Sequence, residues 1–282
     1  MKLQNRAGNP HLLLRLWRNR LNPDSEGTVF MNRMIRLKND DDIRRIRECG
    51  LIIHSLFKLI DTMNLEGLTT WEIDSFIEDY IMKNKARAAF KTVRGYSYAS
   101  CISVNSVASH GVPSRKVKIK SGDIIKIDTG TVMNGYFADA CVTFKAGVIS
   151  ESAEKLVEAA YKALFTGINE IYPGNNIGDI GFAVEEFVKG QGYSVVKNFT
   201  GHGVGFALHE APVVPNYGSR GTGHLLKEGM VVTVEPIVNE GSDELVVLDD
   251  GWTSVTSDGK LSAQFEHTIA VTEGGPVILT GG

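Results

Sequence analysis

An α+β fold built from two similar halves is predicted by three features of this 282-residue chain. Two segments with helical apolar spacing precede strand-like runs, the same order returns in the second half, and an Asn134-Gly135 turn joins two long β-rich runs. Residues 41–62 place apolar side chains at helical intervals after an Asp40-Asp41 start, and Thr69-x-x-Glu72 is a capping box for a second helix ending near Lys83. Strands and the Asn-Gly hairpin follow. The second half should hold a helix from Ser152 to about Glu170 and another from Ile177 to a stop at Gly190. After these come a strand from Tyr193 to Lys197 and further strands around Glu235, Leu245 to Leu248 and Glu266. The helices are expected to cover one face of an antiparallel sheet and leave the other for a site.

The hairpin carries the most informative pair of residues, Asp128 and Asp139. If Met133 faces Tyr136 across the Asn-Gly turn, then Gly130 faces Asp139. Side chains alternate along a strand, so Asp128 shares Gly130's face and lies diagonal to Asp139. Two carboxylates on one face of a largely apolar hairpin repel each other and lose solvation, and a cation between them resolves both.

More potential ligands follow. His202 sits between glycines in Gly201-His202-Gly203-Val204-Gly205, and His209 comes in Leu208-His209-Glu210-Ala211-Pro212. Glu235 interrupts the apolar run Met230-Val231-Val232-Thr233-Val234, where an unpaired carboxylate is expensive, and Glu266 lies in the strand-like Ala263–Val271. Four carboxylates and one imidazole form a hard, oxygen-rich set. That set suits two divalent ions sharing bridging carboxylates better than one tetrahedral structural zinc.

These residues resemble the type I methionine aminopeptidases, dinuclear metallopeptidases with the pita-bread (creatinase/aminopeptidase) fold. The matching motifs are Cys101–Asn105 through His110-Gly111-Val112-Pro113, Gly122-Asp123-Ile124 through Asp128, Asp139, Gly201–Gly205, His209-Glu210, Gly229-Met230 through Glu235-Pro236, and Leu261–Thr268. They occur in the family's order over roughly residues 37 to 275. Only 26 positions separate His209 from Glu235, which leaves no room for the helical insertion of the type II enzymes.

The resemblance implies a pseudo-twofold pita-bread arrangement, with a curved antiparallel sheet covered by helices. It also implies removal of the initiator methionine from nascent chains, preferring a small second residue, by a water or hydroxide held between two metal ions. Asp139 and Glu266 would bridge the ions, Asp128 would complete one coordination sphere, and His202 with Glu235 the other. Glu235 is also the candidate proton shuttle, while His110 and His209 would face the substrate and stabilise the developing oxyanion. Cobalt, manganese, iron and zinc all tolerate such a ligand set. Tyr96, Cys101 and Trp252 match positions lining the methionine pocket, whereas Phe90, Val93 and Leu208 stand where other residues are common. Asn105, Val107 and Ser262 match positions that hold a monovalent cation in some relatives.

Composition agrees with one catalytic domain. With 43% hydrophobic and 22% charged residues, the chain can bury a full core. Its net charge of −3 is uneven: residues 1–36 hold seven Lys/Arg against Asp24 and Glu26, a net of +5, which leaves −8 for the rest. Residues 1–36 are read as a flexible N-terminal extension and 37–282 as the catalytic domain. Met31 and Met34 just before the first helix point to a later start codon, and the Arg-rich composition alternatively fits an organellar transit peptide or a tail touching ribosomal RNA. Cys49, Cys101 and Cys141 are too scattered for a disulfide framework, and no run reaches membrane-spanning length. A cytoplasmic monomer acting on nascent N-termini, with possible ribosome contact and no DNA or membrane partner, is the resulting expectation.

Two other readings compete. An RNA-associated protein of the same fold would have lost ligands and kept a basic surface, but here the ligand set is complete and the catalytic part acidic. A proline-directed peptidase of this fold carries a larger N-terminal domain. Of the remaining histidines, His54 reads as a packing residue, His267 points away from Glu266 on its strand, and His224 belongs to a surface loop.

Overall fold

The computed structural model describes residues 34–282, and the expected extension lies outside them except for residues 34–36. Helix α1 (Asp40–Asp61) begins after Asn39, whose side chain accepts from the Asp42 amide at 3.0 Å while Asp42 accepts from the Asn39 amide at 3.0 Å. Asp40 and Asp41, read as the start, fill the first turn, where negative charge favours the helix N-terminus. Helix α2 (Thr70–Lys83) has the expected box: Glu72 N donates to Thr69 Oγ1 at 3.2 Å and Thr69 N to Glu72 Oε2 at 2.8 Å.

Strands β1 (Arg87–Ala88), β2 (Ser100–Val104) and β3 (Val107–Ser109) lead to the hairpin of β4 (Ile124–Met133) and β5 (Tyr136–Lys145). Helices α3 (Glu151–Ile168) and α4 (Ile177–Gly190) open the second half. They precede β6 (Ser194–Val195), β7 (Gly201–Gly203), β8 (Glu210–Val214), β9 (Val231–Val234), β10 (Ile237–Asn239), β11 (Leu245–Val247), β12 (Ser254–Thr256), β13 (Ser262–Gln264), β14 (His267–Thr272) and β15 (Gly275–Ile278).

All strand pairs between these elements are antiparallel: β4 is flanked by β5 on one edge and by β2 and β1 on the other, and a second sheet runs β15-β14-β9-β7-β8. The predicted αα-then-β order is thus present twice. Ile46, Ile53 and Ile77 of the first helix pair pack with Ile125 and Ile127 of β4, while Leu156, Leu164, Ile180 and Val184 of the second pair pack with Val232, Val234 and Ile269. Burial of these stripes holds each helix pair on its sheet. Among the described residues no helix is long and apolar enough to cross a membrane.

Three expected strands are altered. The one read over Tyr193 to Lys197 pairs only at Ser194–Val195. Glu235 lies between β9 and β10 and not within a strand, because Pro236 has no amide to continue the ladder. Glu266 likewise sits in the gap between β13 and β14, joined to β5 by a single bridge in which Glu266 N donates to Cys141 O at 2.9 Å.

One buried carboxylate fixes the start of β2. Asp74 Oδ1 accepts from the amides of Ala99 (3.0 Å) and Ser100 (2.8 Å) and from Ser100 Oγ (2.8 Å). Asp74→Ala leaves these buried donors without an acceptor and should lower stability by about 3 kcal/mol, whereas Asp74→Asn, which keeps an oxygen there, should lose about 1 kcal/mol. Urea unfolding midpoints check this, and an Asp74→Ala midpoint equal to wild type would refute it.

Candidate metal centre and side-chain pocket

The hairpin register is the one expected: Met133 pairs with Tyr136 and Gly130 with Asp139, so Asp128 is diagonal to Asp139 on one face. The opposite face of β4 gives Ile125 and Ile127 to the helix-covered core, which forces Asp128 to the other side. Across the second edge of β4, Asp128 pairs directly with Cys101 of β2. The Cys141–Glu266 bridge then delivers the Glu266 side chain to the same region.

Two threonines position the remaining candidate ligands. His202 N donates to Thr233 Oγ1 at 3.0 Å and Thr233 Oγ1 donates to Glu235 Oε1 at 2.8 Å, coupling β7 to the end of β9. Asp139 N donates to Thr268 Oγ1 at 3.1 Å, and Thr268 Oγ1 donates to Asp139 O at 2.8 Å. His202 Nδ1 lies 3.0 Å from Gly203 O, a contact in which Nδ1 carries the proton and leaves Nε2 bare. That Nε2 stands 3.6 Å from Glu235 Oε1 and 3.9 Å from Asp139 Oδ2.

Potential ligand atoms converge in overlapping groups. Asp128, Asp139 and Glu266 form one; His202, Glu235 and Glu266 a second; Asp139, His202 and His209 a third, each with its atoms within 4.8 Å of one another. Asp128 Oδ1, Asp139 Oδ1 and Glu266 Oε1 are buried with no hydrogen-bond partner among the described residues. Orphaned buried carboxylate oxygens at such density fit a cation site and little else.

The electrostatics agree. Burial pushes Asp139 up to about 7, and burial with help from Asp139 pushes Glu235 up to about 8 against the Thr233 hydrogen bond. Asp128 and Glu266 are raised well above the carboxylate range, first by burial and then by the neighbouring carboxylates. Burial pulls His110 and His202 down to about 4, and His209 is lowered by burial and then by His202 and His110. All three imidazoles are therefore neutral near pH 7.

His209 packs edge-on to His202 with ring centroids 4.4 Å apart, and His110 packs on Phe199 at 4.7 Å. Beside the carboxylates lies a separate apolar cluster of Phe90, Tyr96, Cys101 and Leu208, with Val93, Tyr98, Val112 and Trp252 against it. Tyr96 meets Trp252 edge-on at 5.0 Å, and Cys101 Sγ is 3.3 Å from Tyr96 Oη. The structure thus gathers Tyr96, Cys101 and Trp252 with the departures Phe90, Val93 and Leu208. His54 and His267 lie elsewhere, the latter with Nδ1 2.8 Å from Thr280 Oγ1, and His224 is exposed.

Sequence reasoning missed several supports. Arg36 and Lys38 both pair with Glu210, the residue after His209, and Lys38 N donates to Gly229 O at 2.7 Å. Thr233 and Thr268 carried no signal beyond β-propensity. Lys126 did carry one, as a cation inside the apolar Ile124–Ile127 run. Where Asn105, Val107 and Ser262 were expected to hold a monovalent ion, the Lys126 ammonium donates to Asn105 O and Ser262 O.

Comparison with known proteins follows this geometry. Residues 44–273 match metallopeptidase family M24. The methionine aminopeptidase of Clostridium perfringens is 44% identical over 88% of this chain and 99% of its own length, and methionine aminopeptidase 1 of Bacillus subtilis is 41% identical over 88% and 99%. The crystal structure of the Thermotoga maritima methionine aminopeptidase superposes with a TM-score of 0.86 at 39% identity, covering 88% of this chain and all of that one. A Pyrococcus furiosus prolidase aligns more distantly, with a TM-score of 0.71 at 26% identity over 87% of this chain and 65% of that one. With its pita-bread fold and no insertion between His209 and Glu235, the chain belongs to metallopeptidase family M24 and, within it, to the methionine aminopeptidases of type I.

Proposed function

We propose that this chain removes the initiator methionine from nascent polypeptides, with Asp128, Asp139, His202, Glu235 and Glu266 holding two divalent ions. The observation that carries the reading is the junction of two environments: orphaned buried carboxylates on one side of the Cys101–Asp128 pair, and on the other a sulfur- and aromatic-rich cluster, which we read as the methionine pocket. A methionine side chain suits that pocket, because its polarisable thioether gains from aromatic edges and from a thiol. Manganese, iron, cobalt and zinc all suit the ligands. When bound, the divalent metal supplies Lewis acidity to the scissile carbonyl and a nucleophile from water near neutral pH.

The chain's own groups do the rest. Tyr96, Cys101 and Trp252 seat the first side chain and so bring the first peptide bond beside the carboxylates. His110 and His209, neutral through burial, each keep one N–H to donate to the carbonyl oxygen or the scissile amide as charge develops. Glu235, already a hydrogen-bond acceptor from Thr233, is placed to take and return a proton. A small second residue is the preference implied by the family resemblance, and the +5 charge of residues 1–36 supports contact with ribosomal RNA.

Assay of a Met-Ala-Ser peptide with metal-reconstituted protein tests the reading directly. Cleavage should depend on divalent metal and release methionine, with Leu-Ala-Ser left largely intact; equal cleavage of both peptides would remove the methionine assignment. Alanine at Asp128, Asp139, His202, Glu235 or Glu266 should abolish turnover at any practical metal concentration. Near wild-type rates in two of these variants would end the dinuclear assignment.

The histidines should behave differently. His110→Ala and His209→Ala are expected to leave metal stoichiometry unchanged while lowering kcat by about a hundredfold, the usual loss of one transition-state donor. Elemental analysis beside steady-state kinetics checks this. A missing metal, with the rate restored by excess metal, would instead make that histidine a ligand.

A pH dependence also follows. In the metal-free protein Asp139 and Glu235, held up to about 7 and about 8, keep protons that unfolded carboxylates release near about 4. Their contribution to folded stability is therefore lost as pH rises through the folded values, and metal must displace the protons to bind. The rise in Tm on adding manganese should be larger at about pH 8 than at about pH 6, with protons released to the buffer on binding. A pH-independent gain without proton release would take both residues out of the ligand set.

A further inference from the structure

Lys126 is among the largest fully buried side chains of the molecule, at 1% exposure, and among the described residues it forms no ion pair. Among the described residues its ammonium donates to two backbone carbonyls, Asn105 O at 2.8 Å and Ser262 O at 2.6 Å. A buried cation ligated by neutral carbonyl oxygens has the coordination chemistry of a monovalent metal ion, not of a salt bridge.

The carbonyls are held in place independently of the lysine. Asn105 adopts a left-handed backbone with φ of 52°, its Oδ1 accepts from Ile124 N at 3.1 Å, its Nδ2 donates to Asp123 Oδ1 at 2.8 Å, and its amide donates to Ile124 O at 2.9 Å. Ser262 is paired with Asn239 in the β10–β13 ladder. Ser262 Oγ and Asn239 Oδ1 are both buried with no hydrogen-bond partner among the described residues.

The clamp joins segments that all lead to the site. Asn105 follows the strand bearing Cys101 and precedes the one leading to His110; Lys126 precedes Asp128 on the same face of β4; Ser262 opens the strand leading to Glu266. We infer that Lys126 is a tethered replacement for a free monovalent cation, a positioning residue whose ammonium fills the carbonyl site and holds these segments in register without potassium or sodium. Shortening the side chain should open the site to a free ion. Its catalytic consequence rests on the function proposed above, while its structural one does not.

The test compares full-length, metal-loaded wild type and Lys126→Asn in potassium chloride and in tetramethylammonium chloride at equal ionic strength, since tetramethylammonium is too large for the site. Wild type should melt at one temperature in both salts and cleave Met-Ala-Ser equally well. Lys126→Asn should melt lower in tetramethylammonium, by roughly 5 °C or more for two buried carbonyls left unsatisfied. Added potassium or sodium should restore it saturably, with recovery in kcat more than in KM. Lys126→Gln, which keeps more of the stem, serves if the asparagine variant does not accumulate. A wild-type Tm that rises saturably with potassium, or a variant that melts alike in both salts, would overturn the inference. Should wild type not cleave the peptide at all, the function fails, yet the melting curves still decide the role of Lys126.

Discussion

The desolvation of four carboxylates gathered in one buried cluster, with their mutual repulsion added to it, is the constraint on which the rest of this structure depends. Asp128, Asp139, Glu235 and Glu266 come from four places in the chain, and their convergence is unfavourable in the absence of a cation. Something else must pay for assembling them. The stabilisation comes from two helix-covered cores that bury the reverse faces of the same strands, with Ile125 and Ile127 behind Asp128 and Val232 and Val234 just before Glu235. The chain uses hydrophobic burial on one side of a sheet to hold a destabilising charge cluster on the other, and the metal then recovers part of that energy as affinity.

Polar positioning is layered over this scaffold with little redundancy. Thr233 serves His202 and Glu235 together, Thr268 pins the backbone of Asp139 at two points, and the Arg36 and Lys38 pair fixes Glu210 beside His209. Each joins residues distant in sequence at or beside a candidate site residue. None directs a formal positive charge at the four carboxylates, which keeps them available to an external cation.

How much of this was legible in the sequence depends on the range of the interaction. The Asp128–Asp139 diagonal could be read because an Asn-Gly turn and period-two alternation are local rules, and both capping positions near Thr69 and Asn39 were recoverable within a residue. The proximity of Tyr96, Cys101 and Trp252 was legible only through the family resemblance, and the structure gathers the three in one apolar cluster. Propensity failed at Glu235 and Glu266. Both were read as strand residues in β-rich runs, yet both occupy interruptions, and the interruption is what frees each side chain from the alternation of its strand. The farther partners of Lys126 and Glu210 come from 136 and 174 residues away, and no local rule reaches so far.

Lys126 shows why the distinction matters for function. A lysine on the same strand face as Asp128 could neutralise the cluster, and in doing so it would compete with the divalent ions for the same oxygens. Its ammonium is instead drawn to the carbonyls of Asn105 and Ser262, whose partial charges satisfy it without consuming a carboxylate. Replacing that side chain by a neutral one would leave the candidate ligands in place but remove the tie between the strands that lead to Asp128 and Glu266. Neutral carbonyls around the lysine, and carboxylates left to the proposed divalent ions, is the arrangement in which both charges can be buried a few residues apart without one displacing the other.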